Sequence, residues 1–126
     1  MKISEIMNKA IAVDSDISLK EAAKIMSDRN IGSLIVLKND KIAGIITEKD
    51  VIKNISSLGK KISSVMSKNV ITANHDESLD NAALMMTEKR IKRLPVVDRG
   101  KLVGMITATD IIANSNALNE SFLFDD

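Results

Sequence analysis

LPVVDRGKLVGMITATDII, at positions 94–112, is the stretch whose pattern decides how this chain reads. LPVV is a short apolar run of the kind that buries as a strand, and Asp98-Arg99-Gly100 supplies a turn. KLVGMIT then returns as a second strand, and Thr107 opens a helix. A Thr hydroxyl suits the N-cap, and Asp110 puts an acid into the first helical turn, where it is favoured. Sixty residues earlier, SLIVLKNDKIAGIITEKDVI at 33–52 has the same shape, with Asn39-Asp40 as its turn and Thr47/Asp50 in the matching places.

The match extends outward. Between Leu19–Ile52 and Leu79–Ile112, 13 of 34 positions are identical, among them Leu19/Leu79, Ala22/Ala82, Met26/Met86, Gly44/Gly104, Thr47/Thr107 and Asp50/Asp110. ISEIM at 3–7 matches ISSVM at 62–66 once one residue is gapped near Lys9. The spacing divides the chain into a first unit at 1–58, a second at 59–114 and a tail at 115–126. In each unit a short helix (Ile3–Met7, Ile62–Met66) leads to a brief strand (Ala10–Val13, Val70–Ala73). Leu19, Ala22, Ala23 and Met26 follow helical periodicity, with Ser18 and Glu21 forming a capping box. The order is β-α-β-β-α, twice, an α+β fold. Two copies are too few for a solenoid, so a pseudo-twofold pair is expected.

Composition narrows the function. Eighteen basic residues face 17 acidic ones, which gives no general attraction to nucleic acid or an anionic membrane. Only two Phe, with no Trp or Tyr, leaves almost nothing on which bases could stack. No Cys removes thiolate nucleophiles and Cys–zinc sites. No signal-peptide pattern and no 18-residue apolar run stand out, which points to a cytoplasmic protein that does not span a membrane. There is one His, and neither a Walker loop nor a G-x-S-x-G elbow, so no catalytic or metal site is assigned and the chain reads as a non-enzyme without a catalytic cofactor.

The doubled pattern, with LPVVDRGKLVGMITATDII in its second copy, resembles the cystathionine-β-synthase (CBS) domain family. Two tandem copies look like a CBS pair, or Bateman module, here read as standing alone. The residues permit a ligand reading beside the helix-start one. A helix N-terminus favours phosphate, a Thr hydroxyl adds a hydrogen bond, and an ionised Asp can accept from two vicinal hydroxyls. The resemblance implies that the matching Thr contacts phosphate and the matching Asp holds the ribose of an adenosine compound: AMP, ADP, ATP or S-adenosylmethionine. Carried over, one site is Thr47/Asp50 with Ala12 and Ser33 lining the adenine pocket. The other is Thr107/Asp110 with Thr72 and Arg93. It further implies a homodimer and a regulated partner on another chain. A scaffold that binds no nucleotide is the competing reading.

The two sites differ. Thr72 and Arg93 stand where the first copy has Ala12 and Ser33, and Arg can fork onto phosphate. Glu48 beside Thr47 is a poor neighbour for an anion. The second site is therefore expected to bind more tightly. Pro95 replaces Ile35 and, lacking an N–H, reads as marking an edge or bulge. Lys89, Arg90, Lys92 and Arg93 crowd four cations into five positions, and His75 sits in a polar loop. Phe122 and Phe124 are the tail's only large aromatic groups.

Overall fold

Each repeat folds around a hairpin. In the computed structural model, which describes residues 1–114, β2 (Ser33–Lys38) and β3 (Lys41–Thr47) are antiparallel, as are β5 (Arg93–Asp98) and β6 (Lys101–Thr107). Asn39 and Asp40 both take positive φ (53° and 63°), and so do Arg99 and Gly100 (54° and 80°). Such tight two-residue turns match the right-handed twist of the strands they join. The expected tail at 115–126 lies outside the described residues.

A short parallel strand completes each sheet: β1 (Ala12–Asp14) beside β2, and β4 (Ala73–Asn74) beside β5. The sheet orders are β1-β2-β3 and β4-β5-β6. Both outer strands begin later than the residue pattern suggests, β1 at Ala12 and β4 at Ala73. Ile35 N–H donates to the Ile11 carbonyl at 3.0 Å, and pairing then runs from Ala12. In the second sheet Pro95 stands where Ile35 does and has no N–H to give, so β4 is only two residues long. Pro95 is thus neither on an edge strand nor the cause of a bulge. It is buried in the central strand, and the register irregularity falls one step on, at Val96/Val97, with its twin at Val36/Leu37 where no proline stands.

The helices follow the sequence closely. α1 (Leu19–Arg29) starts at the Ser18/Glu21 capping box and ends at Asn30 in the left-handed region. α3 (Leu79–Lys89) starts at Ser78 and ends at Arg90 in the same conformation. Leu19, Ala22 and Met26 pack against Leu34, Val36, Ile46 and Ile62, while Leu79, Ala82 and Met86 pack against Leu94, Val96, Ile106 and Ile3. α2 (Glu48–Lys53) and α4 (Ala108–Ala113) are six residues each.

The compact units exchange the lead-in segments of the sequence repeats. Ala10–Val70 forms one unit, and Met1–Lys9 joins the chain from Ile71 onward in the other. Each lead-in is a single 3-10 turn, Ile3–Glu5 or Ile62–Ser64, with a fully buried Ile. Their sequence match therefore reflects an equivalent job done for the neighbouring repeat's sheet. Ile62 N–H donates to the Ile17 carbonyl at 3.0 Å, and Ile3 N–H to the Glu77 carbonyl at 2.8 Å.

Candidate functional site

The Thr-x-x-Asp pairs sit where a returning strand turns into a short helix. Thr107 closes β6 and caps α4; Thr47 closes β3 and caps α2. The cap is reciprocal in both repeats; in the second, Asp110 N–H donates to Thr107 Oγ1 at 3.1 Å, and Thr107 N–H donates to Asp110 Oδ2 at 2.9 Å. In the first, Thr47 N–H and the Thr47 hydroxyl both donate to Asp50 Oδ2, at 2.9 and 3.2 Å. Both Asp and both Thr are half-buried.

The helix starts offer less to an anion than the sequence reading expected. The first helical N–H is already engaged, from Glu48 to the Gly32 carbonyl at 3.1 Å and from Ala108 to the Lys92 carbonyl at 2.9 Å. A six-residue helix also aligns few peptide dipoles. Polar side chains have to do most of any phosphate binding here.

The ladders supply the neighbours. Arg93 pairs directly with Thr107, and Ser33 with Thr47. Opposed residues of an antiparallel pair share a face and lie about 5 Å apart at Cβ. The opposite face carries the buried Leu94, Ile106, Leu34 and Ile46, so Arg93 and Thr107 are turned away from the helix-backed core. Ala12 lies across from Ile35, two positions along from Ser33, and Thr72 immediately precedes β4. The sequence-derived residues of each repeat thus collect at one end of one sheet. Of the four clustered cations Arg93 belongs there, and Lys92, whose carbonyl accepts the Ala108 N–H, sits beside it; Lys89 ends α3 and Arg90 is its C-cap. His75 is remote from the Thr-x-x-Asp turn, with Nε2 3.3 Å from Asp98 Oδ1.

Sequence reasoning missed one contributor. Asn8 Nδ2 donates to Asp110 Oδ2 at 2.9 Å across 102 residues of chain. Nothing in the spacing pointed to it, since Asn8 precedes the first repeat's strand. The matched lead-ins were the available signal. Gly104 and Gly44 explain why these segments can come so close. A Cβ on Gly104 would fall 2.6 Å from Met7 Sδ and 3.0 Å from the Asn8 carbonyl oxygen. On Gly44 it would fall 2.5 Å from Met66 Sδ and 2.8 Å from the Ser67 carbonyl oxygen.

A groove of about 380 Å³ lies elsewhere in the first repeat, between α1 and α2, lined by Met26, Ile31, Glu48, Val51 and Ile52 among others. None of the sequence-derived site residues lines it, and its wall is mainly apolar.

The model of the CBS domain matches this chain twice, over residues 3–57 and 62–116. The chain belongs to the CBS domain family. As a CBS pair it is 30% identical to the CBS domain-containing protein YhcV of Bacillus subtilis, over 94% of this chain and 88% of that protein. It is 41% identical to the L-aspartate semialdehyde sulfurtransferase of Methanocaldococcus jannaschii, over 86% of this chain but 22% of the enzyme. Across several longer relatives the chain spans 22–38% of their length. Among solved structures, the CBS domain pair of protein MJ0100 in complex with 5′-methylthioadenosine and S-adenosyl-L-methionine superimposes with a TM-score of 0.82 at 38% identity, covering 90% of this chain and 94% of that one. No helix among the described residues is long and apolar enough to cross a membrane.

Proposed function

We propose that this CBS pair is a regulatory module that binds an adenosine-containing ligand, with the Thr107/Asp110 site the tighter of two. One observation carries the reading: the Asp110 carboxylate is held by two donors on Oδ2, beside the strand end where Arg93 faces Thr107. Asp110 takes the ribose hydroxyls through Oδ1. Thr107 and Arg93 take a 5′-phosphate, and Thr72 lies at the edge of the base pocket. Asp50, Thr47, Ser33 and Ala12 form the weaker equivalent, without a cation opposite the Thr. The adenosine compounds in the MJ0100 pair support the ligand class. Arg93 favours a phosphate-bearing member of it, such as AMP, over a neutral thioether.

The module does no chemistry of its own; ligand shifts its conformation and a regulated partner in the cytoplasm reads that shift. Such a shift requires different affinities for the two conformations. The pair works as a homodimer, to which the exposed Ile52 and Ile55 of one unit and Leu84 and Ile112 of the other contribute apolar surface.

A thermal-shift screen with AMP, ADP, ATP, GTP and S-adenosylmethionine, followed by calorimetry, tests this. A ligand at about a hundred times its Kd adds roughly 2.7 kcal/mol to stability. Stabilisation by adenosine compounds and not by GTP is the expected result. No stabilisation by any of them refutes the sensor reading and favours a scaffold.

A further inference from the structure

We infer that Asn8 is a positioning residue for the second site, and that it sets Thr107 free to donate its hydroxyl proton to the ligand's phosphate. The inference rests on the adenosine-ligand reading above.

The two Thr-x-x-Asp turns share the reciprocal cap and differ in what else reaches the Asp Oδ2. In the first repeat the Thr47 hydroxyl donates to Asp50 Oδ2 at 3.2 Å, so its one proton is spent inside the turn. In the second repeat Asn8 Nδ2 donates to Asp110 Oδ2 at 2.9 Å in its place. Thr107 Oγ1 accepts the Asp110 N–H at 3.1 Å, as Thr47 Oγ1 does in its own capping box, but among the described residues the Thr107 hydroxyl makes no bond to the carboxylate. An acceptor hydroxyl still has its proton to give. Asn8 therefore does two things: it fixes the carboxylate, and it substitutes for the one donor that the ligand needs.

The residue is well held for this role. Its backbone exchanges two hydrogen bonds with Met105 on the outer edge of β6, Asn8 N–H to the Met105 carbonyl at 2.8 Å and Met105 N–H to the Asn8 carbonyl at 2.9 Å. Gly104, next to Met105, allows that approach. The first repeat has the same bridge, between Ser67 and Ile45 at 3.0 Å in both directions. Ser67 is one bond shorter on the path to the carboxylate and has no bond to Asp50 among the described residues. The inequality of the sites thus comes from the lead-in segments as well as from Arg93.

Calorimetry of AMP and of adenosine with the full chain and with Asn8→Ala tests the inference. Asn8 is exposed and its bridge to Met105 is all backbone, so the variant keeps its fold; a melting curve checks this, and Asn8→Ser serves as a second variant. The expected result is a loss of about five- to tenfold in AMP affinity, with adenosine, which has the ribose but no phosphate, losing clearly less. Ser67→Asn should strengthen AMP binding at the first site. Equal losses for AMP and adenosine mean a merely structural role and overturn the inference. Unchanged AMP binding also overturns it, while leaving the proposed function standing. If the unaltered chain binds neither compound, the adenosine reading itself fails and the inference falls with it.

Discussion

Arg93 stands directly across the β5–β6 ladder from Thr107, at the point where the first repeat sets Ser33 against Thr47. An exposed cation beside one Thr-x-x-Asp turn and a small neutral hydroxyl beside the other is one difference between the two repeats. On the proposed reading it should act on ligands that carry negative charge and have little effect on those that do not.

Arg93→Ser, which copies the first repeat, should weaken AMP binding about tenfold, the scale of a charge-assisted pair, and leave 5′-methylthioadenosine within about twofold. Calorimetry at two salt concentrations checks it. The Arg-dependent part of the AMP affinity should shrink as salt rises, because the side chain is exposed.

Both tight glycines should resist enlargement. Gly44→Ala puts a Cβ 2.8 Å from the Ser67 carbonyl oxygen, and Gly104→Ala puts one 3.0 Å from that of Asn8. The methionine sulfurs can swing aside, but these carbonyls are tied into two-bond bridges. Each substitution should cost about 1–3 kcal/mol in urea unfolding, with Gly44→Ala the more severe. Gly104→Ala should also weaken AMP binding by pushing Asn8 away from Asp110. A neutral result at both positions would contradict the close approach of the lead-ins.

Ile35→Pro and Pro95→Ile are not mirror images. The first removes the N–H that bonds the Ile11 carbonyl at 3.0 Å, in a fully buried part of β2, and should cost about 1–3 kcal/mol. The second restores a donor next to the start of β4 and should cost less. Thermal melts of the pair rank them.

Ser18→Ala deletes the hydroxyl that accepts the Glu21 N–H at 3.1 Å. It should lower stability by about 1 kcal/mol and leave nucleotide affinity untouched, since α1 holds no site residue. An altered affinity would mean that α1 communicates with the Thr-x-x-Asp turn.

Much of this was legible in the residues. The helical stripe of Leu19, Ala22 and Met26, the capping box at Ser18 and the Asn39-Asp40 turn are local features, set by neighbours within four positions, and the structure has them all. Thr107 and Asp110 were found for the same reason, and the ladder register brought Arg93 to them because a two-residue turn fixes which residues oppose. Strand starts were less legible: β4 begins late because Pro95 withholds the N–H that Ile35 gives in the first sheet.

The sequence by itself determined the doubled β-α-β-β-α order, the cores of both repeats and the two capped turns, because periodicity, turn chemistry and capping act over short stretches of chain. Only the tertiary structure decided that residues 1–9 serve the second repeat's sheet, that Asn8 reaches Asp110, and that the two threonines spend their hydroxyls differently. Those contacts join segments up to 102 residues apart, and they depend on a glycine-permitted approach of one backbone to another that no local pattern records.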